Sequence, residues 1–466
     1  MTVHAPAGTL DAADHSAVLA DLRRTFDTGR TRPLQWRLDQ LEGIETLCRD
    51  EEAAIAEALH SDLGRSPVEA WLGDIASSKG EAAYARKHLK KWMRRRRQPL
   101  PLAQLPGRAW VQHDPLGAVL VIGPWNYPLY LSLGPLVAAV AAGNCTAIKP
   151  SELAPATSEL LSRLIPRYLD GDAVRVVEGD ASTTQGLIAG GFDHIIFTGG
   201  TEIGRKIMAA AAPTLTPVTL ELGGKSPVII TADADLDVAA RRVAWVKLLN
   251  SGQTCIAPDY VLVNRVVADA FIDKVTDAVA AFRAGETASG LRIVNGRQFD
   301  RLDSLIRSTT GTIVTGGGTD AGTLSIEPTV IVDPAPTDAV MSDEIFGPIL
   351  PILQVESDSA AVQFVNSRAK PLALYVFSGS QKAARRLIDA IPSGGAVVNH
   401  VAMHCLVPQL PFGGVGASGI GAYHGRWGFE ALSHQRAVLA KPAKPDPRLV
   451  YPPYTDRAIK IMRKLF

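Results

Sequence analysis

Apolar positions follow two different periods along the chain. Between residues 14 and 60 the period is helical: Leu34, Leu38, Leu41, Ile44 and Leu47 recur at three- and four-residue steps, a one-faced stripe. Asp50 ahead of "EEAAIAEALH" reads as a capped helix start with acids in its first turn. Helices are therefore expected to dominate the first hundred residues. After "KKWMRRRRQPLPLAQLPG" the pattern changes. From residue 117, short apolar runs alternate with helical stretches: "GAVLVIG", "CTAIKP", "AVRVVEG", "HIIFTGG" and "VTLELGG" each end at Gly or Pro. Strands followed by helices predict βαβ units and a mostly parallel sheet. A second series begins near "KSPVIIT" (225–231) and continues through "YVLVN", "TIVTGG", "ILPILQV", "LALYVFS" and "GAVVN". The expected fold class is thus α/β with two successive parallel-sheet domains. "KPAKPDPRLVYPP" is Pro-rich and extended. The final "RAIKIMRKLF" puts Ala458, Ile459, Met462 and Phe466 on one helical face with basic residues opposite. Packing on the protein's own body is favoured there over contact with a membrane surface.

Composition narrows the function classes. A chain of 466 residues is too long for one ordinary core, so two or three domains are expected. The 48 basic residues against 47 acidic ones leave a net charge of +1, which argues against bulk nucleic-acid binding through excess Lys and Arg. Cys48, Cys145, Cys255 and Cys405 are scattered without paired spacing, as suits a reducing compartment without a disulfide framework. The start, "MTVHAPAGTLDAADHS", has no apolar core of a signal peptide. The longest apolar run, residues 130–145, is too short to span a bilayer and is interrupted by Gly134 and Pro135. A cytoplasmic protein is the expectation.

Chemistry concentrates in a few stretches. In "LLNSGQTCIAPDY" (248–260) Cys255 sits among small and polar residues. A small buried hydrophobe accounts for Cys48, Cys145 and Cys405, but poorly for Cys255. A thiol in an open, tightly turned loop has access to a substrate, sulfur is strongly nucleophilic, and neighbouring N–H groups can steady an oxyanion. "LELGGKSP" (220–227) holds Glu221 between Leu220 and Leu222, so alternation sets the carboxylate on the opposite face. A lone strand carboxylate is usually a salt-bridge partner or solvated. At a cleft between domains, desolvation would instead raise its pKa and suit it to general-base work.

"FTGGTEIG" (197–204) links a strand to a helix. Such a glycine turn presents N–H groups to an anion, although Thr201 replaces the middle glycine of the usual dinucleotide fingerprint. Phosphate binding and an ordinary tight turn both fit it. Two better matches to that fingerprint, at Gly414/Gly416/Gly419 and Gly316/Gly318/Ala321, lack the strand or helix that it needs. Lys149, after a strand of the same sheet, is a surface lysine or a nucleotide contact. "HVAMHC" (400–405) has two His at i, i+4 but no glutamate beside the first, and no metal is expected. The basic run "KKWMRRRR" (90–97) reads as the solvated end of a helix.

Taken in order, "GPWNYP" (123–128), "KPSE" (149–152), "FTGGTEIG", "LELGGKSP" with "GQTCIAPDY", "EIFGPILP" (344–351) and "LPFGGVGASGIGAYHG" (410–425) resemble the aldehyde dehydrogenases, and within them the class 3 branch of fatty- and aromatic-aldehyde enzymes. The resemblance implies a fold of two Rossmann-like domains with a small extended bridging arm. It divides the chain into a cofactor domain at 1–97 and 115–222, a catalytic domain at 223–433, and an arm and tail at 98–114 and 434–466. By position, Cys255 matches the nucleophile, Asn126 the oxyanion amide and Glu221 the water-activating base. Gly199, Gly200, Thr201, Glu202, Ile203 and Gly204, with Leu222, match the cofactor loop. Lys149 and Glu152 match the adenosine-ribose side, and Glu344 and Phe346 the nicotinamide-ribose side. The implied cofactor is NAD, with NADP as a second acceptor. The implied partners are an aldehyde and a second copy of the chain. His400 departs from the family, which commonly has Asp there. A thioester passed to coenzyme A, or a catalytically silent scaffold, are the alternatives. Glu221 argues against the first, and intact Cys255, Glu221 and Asn126 against the second.

Overall fold

The computed structural model describes residues 12–284 and 291–465. The N-terminal stripe becomes helix Leu34–Asp50, in which Leu41, Ile44 and Leu47 are fully buried. The capped start expected at Asp50 is not formed. Asp50 ends that helix and pairs with Arg49, and the next helix, Glu52–Leu63, begins at Glu51 without a side-chain cap. The two helices follow each other so closely that Asp50 is still helical, and its carboxylate is not available to the next turn.

Six strands form the first sheet, in the spatial order Gly419–Ile420, Val218–Glu221, His194–Thr198, Ala118–Ile122, Cys145–Lys149, Val174–Val176. Five are parallel, and only Gly419–Ile420 runs against its neighbour. Strand Ala118–Ile122, the first of the five in the chain, lies between the second and the fourth. The connections therefore leave in opposite directions from it, which opens a crevice at the carboxyl ends of these strands. Those ends deliver Gly123, Lys149, Gly199 and Glu221. Helix Tyr130–Ala142, apolar all round, packs beneath the sheet and is almost wholly buried. Among the described residues no helix is long and apolar enough to cross a membrane.

The second sheet has seven strands, in the order Thr312–Thr315, Thr329–Val332, Ile349–Val355, Tyr260–Asn264, Pro227–Ile230, Ala373–Phe377, Gly395–Val398. All pair in parallel except the edge strand Thr312–Thr315, which is antiparallel and irregular between Ile313 and Thr315. Thr329–Val332 was not anticipated from the sequence, because three apolar residues after Pro328 and Thr329 are too few to show a period. A third, antiparallel sheet joins Arg96–Gln98, Arg108–Pro115 and Ser433–Ala440. Ser433–Ala440 is paired on one side only. In the terminal helix Asp456–Leu465, Ala458 is buried and Ile459 and Met462 are half-buried, while Phe466 lies outside the described residues.

Candidate active site

Cys255 owes its setting to a turn that few sequences could make. Helix Leu236–Leu248 runs into the turn Leu249–Gly252, where Asn250 (φ 52°), Ser251 (φ 53°) and Gly252 (φ 71°) all take left-handed conformations. A Cβ on Gly252 would strike the carbonyl of Gly347, so only glycine fits. The buried Gln253 then anchors the loop: its amide donates to the carbonyls of Asn250 and Arg292, both at 3.1 Å, and accepts from the N–H of Val294 at 3.0 Å. Tyr375 donates to the Ile256 carbonyl at 2.6 Å. Cys255 sits in this pinned loop as a free, partly exposed thiol.

Asn126 reaches the same loop from the first sheet. It is buried, and its Nδ2 donates to the Gln253 carbonyl at 3.1 Å. Next to it, Tyr127 Oη and Thr254 Oγ1 share a hydrogen bond of 2.8 Å. The sequence reading missed Arg65 and Asp74, a wholly buried ion pair behind Asn126.

Glu221, the last residue of its strand, is 3% exposed, and among the described residues neither carboxylate oxygen has a hydrogen-bond partner. Burial pushes its pKa well above the ordinary carboxylate range. Glu221 and Cys255 line one cavity of about 170 Å³, together with Tyr127, Thr254, Tyr423 and Cys405. The Tyr423 hydroxyl is likewise buried without a partner. The apolar wall includes Leu72, Trp245, Leu249, Met403 and Leu406. Burial also pushes the Cys255 thiol well up, with Glu344, Cys405 and Glu221 acting in the same direction. Burial thus disfavours the charged form of both groups.

Cys405 does not behave like Cys48 and Cys145. Those two are fully buried in separate apolar cores, as expected. Cys405 is partly exposed and faces the cavity, because left-handed Ala402 (φ 61°) folds the short turn Met403–Leu406 over its mouth. The two histidines of "HVAMHC" are separated by that turn. His400 contacts the Val401 backbone and the edge of Trp245, whereas His404 is pushed down to about 4 by burial between Tyr375 and Phe412.

The glycine turn forms an open cradle. Helix Thr201–Ala211 starts at Gly200 without a side-chain cap, and nothing lies within 4 Å of where a Gly200 Cβ would be. Its first N–H groups are thus free for a ligand. Gly199 packs on the Phe197 ring, and a Cβ on Gly204 would come within 2.6 Å of Leu222, so Leu222 supports the helix from below. Ile203 is half-exposed beside the cradle, whereas Glu202 points outward and pairs with Arg205 at 2.5 Å. Thr201 Oγ1 ties the turn to the Ala417 carbonyl at 3.1 Å.

Two strands along the sheet, Lys149 is almost wholly covered and donates to Glu152 at 2.6 Å. Across the crevice the Glu344 carboxylate lies directly over Gly223, where any side chain would collide with it. Burial, helped by Asp259, pushes Glu344 up to about 8 against the pull of the Gly224 N–H, Lys225 and Arg301. Phe346, at φ 49°, turns its ring edge-on to Trp125 with centroids 5.3 Å apart. Uncapped donors, a bare glycine and a Lys–Glu pair suit a phosphate-bearing dinucleotide with ribose hydroxyls.

This arrangement has many counterparts. The profile of the aldehyde dehydrogenase family matches residues 2–438. The chain is 46% identical to aldehyde dehydrogenase family 3 member A2 of Rattus norvegicus over 444 residues, covering 94% of this chain and 91% of that one. It is 42% identical to family 3 member H1 of Arabidopsis thaliana, covering 97% and 95%. The solved structure of Staphylococcus aureus AldH in its substrate-bound state superposes with a TM-score of 0.93 at 38% identity, covering 98% of this chain and 100% of that one. By profile, by sequence and by fold, the chain belongs to the aldehyde dehydrogenase family.

Proposed function

We propose that this aldehyde dehydrogenase oxidises medium- or long-chain aliphatic or aromatic aldehydes to carboxylic acids through a covalent intermediate on Cys255. Its acceptor is NAD, with NADP as a second one. The observation that carries the mechanism is the shared cavity: a thiol and an unpartnered carboxyl open into one apolar space, and the Asn126 amide is bonded to the loop that carries the thiol.

An aldehyde gives up hydride poorly until its carbon becomes tetrahedral. Cys255 gives its proton to water, and the thiolate sulfur adds to the carbonyl carbon to form a thiohemiacetal whose oxygen carries the negative charge. The Asn126 carboxamide and the Cys255 N–H face the oxygen that gains charge. With NAD bound, the nicotinamide would supply the hydride acceptor, and loss of hydride from that carbon would leave a thioester on Cys255. Glu221 then takes a proton from water, the hydroxide attacks the thioester, and the acid departs with the thiol restored. Lys149 and Glu152 would hold ribose hydroxyls, the open turn at Gly200 the phosphates, and Glu344 the second ribose.

Leu72, Trp245, Leu249, Met403 and Leu406 support an apolar substrate tail. Glu221 makes hydrolysis the better-supported fate of the acyl group over transfer to coenzyme A. The one-sided strand Ser433–Ala440 supports a homodimer, in which an arm of 98–114 and 434–466 bridges a cofactor domain and a catalytic domain. The scattered thiols support a cytoplasmic location. The test is acyl-enzyme trapping. Mass spectrometry after a single turnover should find the acyl group on Cys255, and no adduct with any aldehyde in a broad panel would overturn the mechanism.

A further inference from the structure

Arg65 has no solvent exposure, and neither has Asp74. A guanidinium so placed is costly unless its donors all find acceptors. Here each of its three nitrogens finds one, in three different elements. Nη1 meets the Asp74 carboxylate, Nη2 meets the backbone carbonyl of Asn126, and Nε donates to Oδ1 of Asn250 at 3.2 Å. The guanidinium also lies over the Tyr127 ring, 4.4 Å from its centroid.

Local structure delivers both partners. Gly64, left-handed at φ 72°, ends helix Glu52–Leu63 and turns the next residue inward. Asp74 lies in the π-helical turn Trp71–Ile75, whose wider winding displaces it from the preceding helical face. Its second oxygen accepts the N–H of Tyr130 at 2.8 Å.

The acceptors belong to a closed ring. Asn250 Nδ2 donates to the Asn126 carbonyl at 2.9 Å and to the Gln253 carbonyl at 3.1 Å, and Asn126 Nδ2 donates to that same Gln253 carbonyl at 3.1 Å. One side of the ring carries the carboxamide that faces the oxyanion. The other leads, two residues on, to the Cys255 thiol. Arg65 is the cation that spans both. A lysine has three donors on a flexible stem and cannot meet three fixed acceptors with a planar fork.

We propose that Arg65, set by Asp74, is a positioning residue for acylation: it fixes the Asn126 carboxamide relative to Cys255 without touching substrate. This rests on the roles given to Cys255 and Asn126 above.

The test is a double-mutant cycle on the single-turnover rate of acyl-enzyme formation, with NAD saturating and one good aldehyde. Arg65→Lys should slow acylation by at least about tenfold, since displacements near 1 Å cost on the order of a hundredfold in such sites. NAD affinity should stay within about twofold. In an Asn126→Ala background the same Arg65→Lys change should slow acylation by less than about twofold, because the group it positions is gone. A purely structural role would slow both backgrounds alike. Acylation by Arg65→Lys at the wild-type rate, or an undiminished effect in the Asn126→Ala background, overturns the proposal. If Arg65→Lys does not fold, Asp74→Asn, which leaves the guanidinium without its counter-charge, takes its place in the same cycle. A wild-type chain that forms no acyl-enzyme would instead bring down the mechanism on which this rests.

Discussion

The glycine cradle and the reaction cavity meet at the end of strand Val218–Glu221, where Leu222 packs against Gly204 and also lines the cavity, and they handle polar groups in opposite ways. In the cradle, donors are left open: the helix at Thr201 has no cap, Gly200 has empty space beside it, and Lys149 already has a carboxylate partner. In the cavity, Glu221 and Tyr423 are shut away from water with nothing to bond. The first arrangement suits a charged ligand held through backbone dipoles at little cost in desolvation. The second disfavours the charged forms of an acid and a thiol. If binding and chemistry are divided in this way, substitutions should separate them.

The largest effect is expected at Cys255. Cys255→Ala should cut NADH formation by at least about four orders of magnitude, as losing a nucleophile does elsewhere, while NAD titration is unchanged. Full activity would remove Cys255 from its role. Glu221→Gln should slow deacylation by roughly a hundredfold or more, so that one turnover's worth of NADH appears in a burst. In the wild type, the raised pKa of Glu221 keeps it protonated at low pH, and a base must first lose that proton. Deacylation should therefore rise with pH, and the variant should lose that rise. A flat wild-type profile in stopped-flow measurements would count against Glu221.

Gly200→Ala sharpens the contrast from the other side. Its Cβ meets no protein atom, so thermal unfolding should be unaltered. The methyl would instead occupy ligand space, and NAD affinity should drop about tenfold, in keeping with the ~1.4 kcal/mol that one misfitted contact can cost. Wild-type affinity would place the phosphates elsewhere.

The smallest effect concerns Glu344, pushed up to about 8. Below that pH it is mostly protonated, and its ionised form is the better acceptor for two ribose hydroxyls. NAD affinity, followed by fluorescence titration, should improve several-fold as pH rises through about 8, and Glu344→Gln should abolish that slope. Stability runs the other way. A carboxyl whose folded pKa is raised stabilises the unliganded protein most below its unfolded value, and that contribution fades as pH climbs through about 8.

Much of this was legible in one dimension. The stripe of Leu41, Ile44 and Leu47 and the strands ending at Lys149, Thr198 and Glu221 follow from local periods and from the glycines and prolines that stop them. The Cys255 loop stood out because small residues flank a thiol. The readings that failed were also local. Asp50 was assigned a cap that helix continuity forbids, and Cys405 was grouped with the core cysteines although the turn after Ala402 exposes it to the cavity.

Periodicity and turn chemistry act between neighbours, so the residue order alone already pointed to two α/β series of strands, a glycine turn between strand and helix, and a thiol flanked by small residues. It was silent on Arg65, which looks like any surface arginine until the fold brings Asn250, 185 positions away, against it. The orphaned oxygens of Glu221 and the hydroxyl of Tyr423 belong to the same kind of information. Burial is a property of what packs around a group, and the packing partners come from distant parts of the chain that only the tertiary fold assembles.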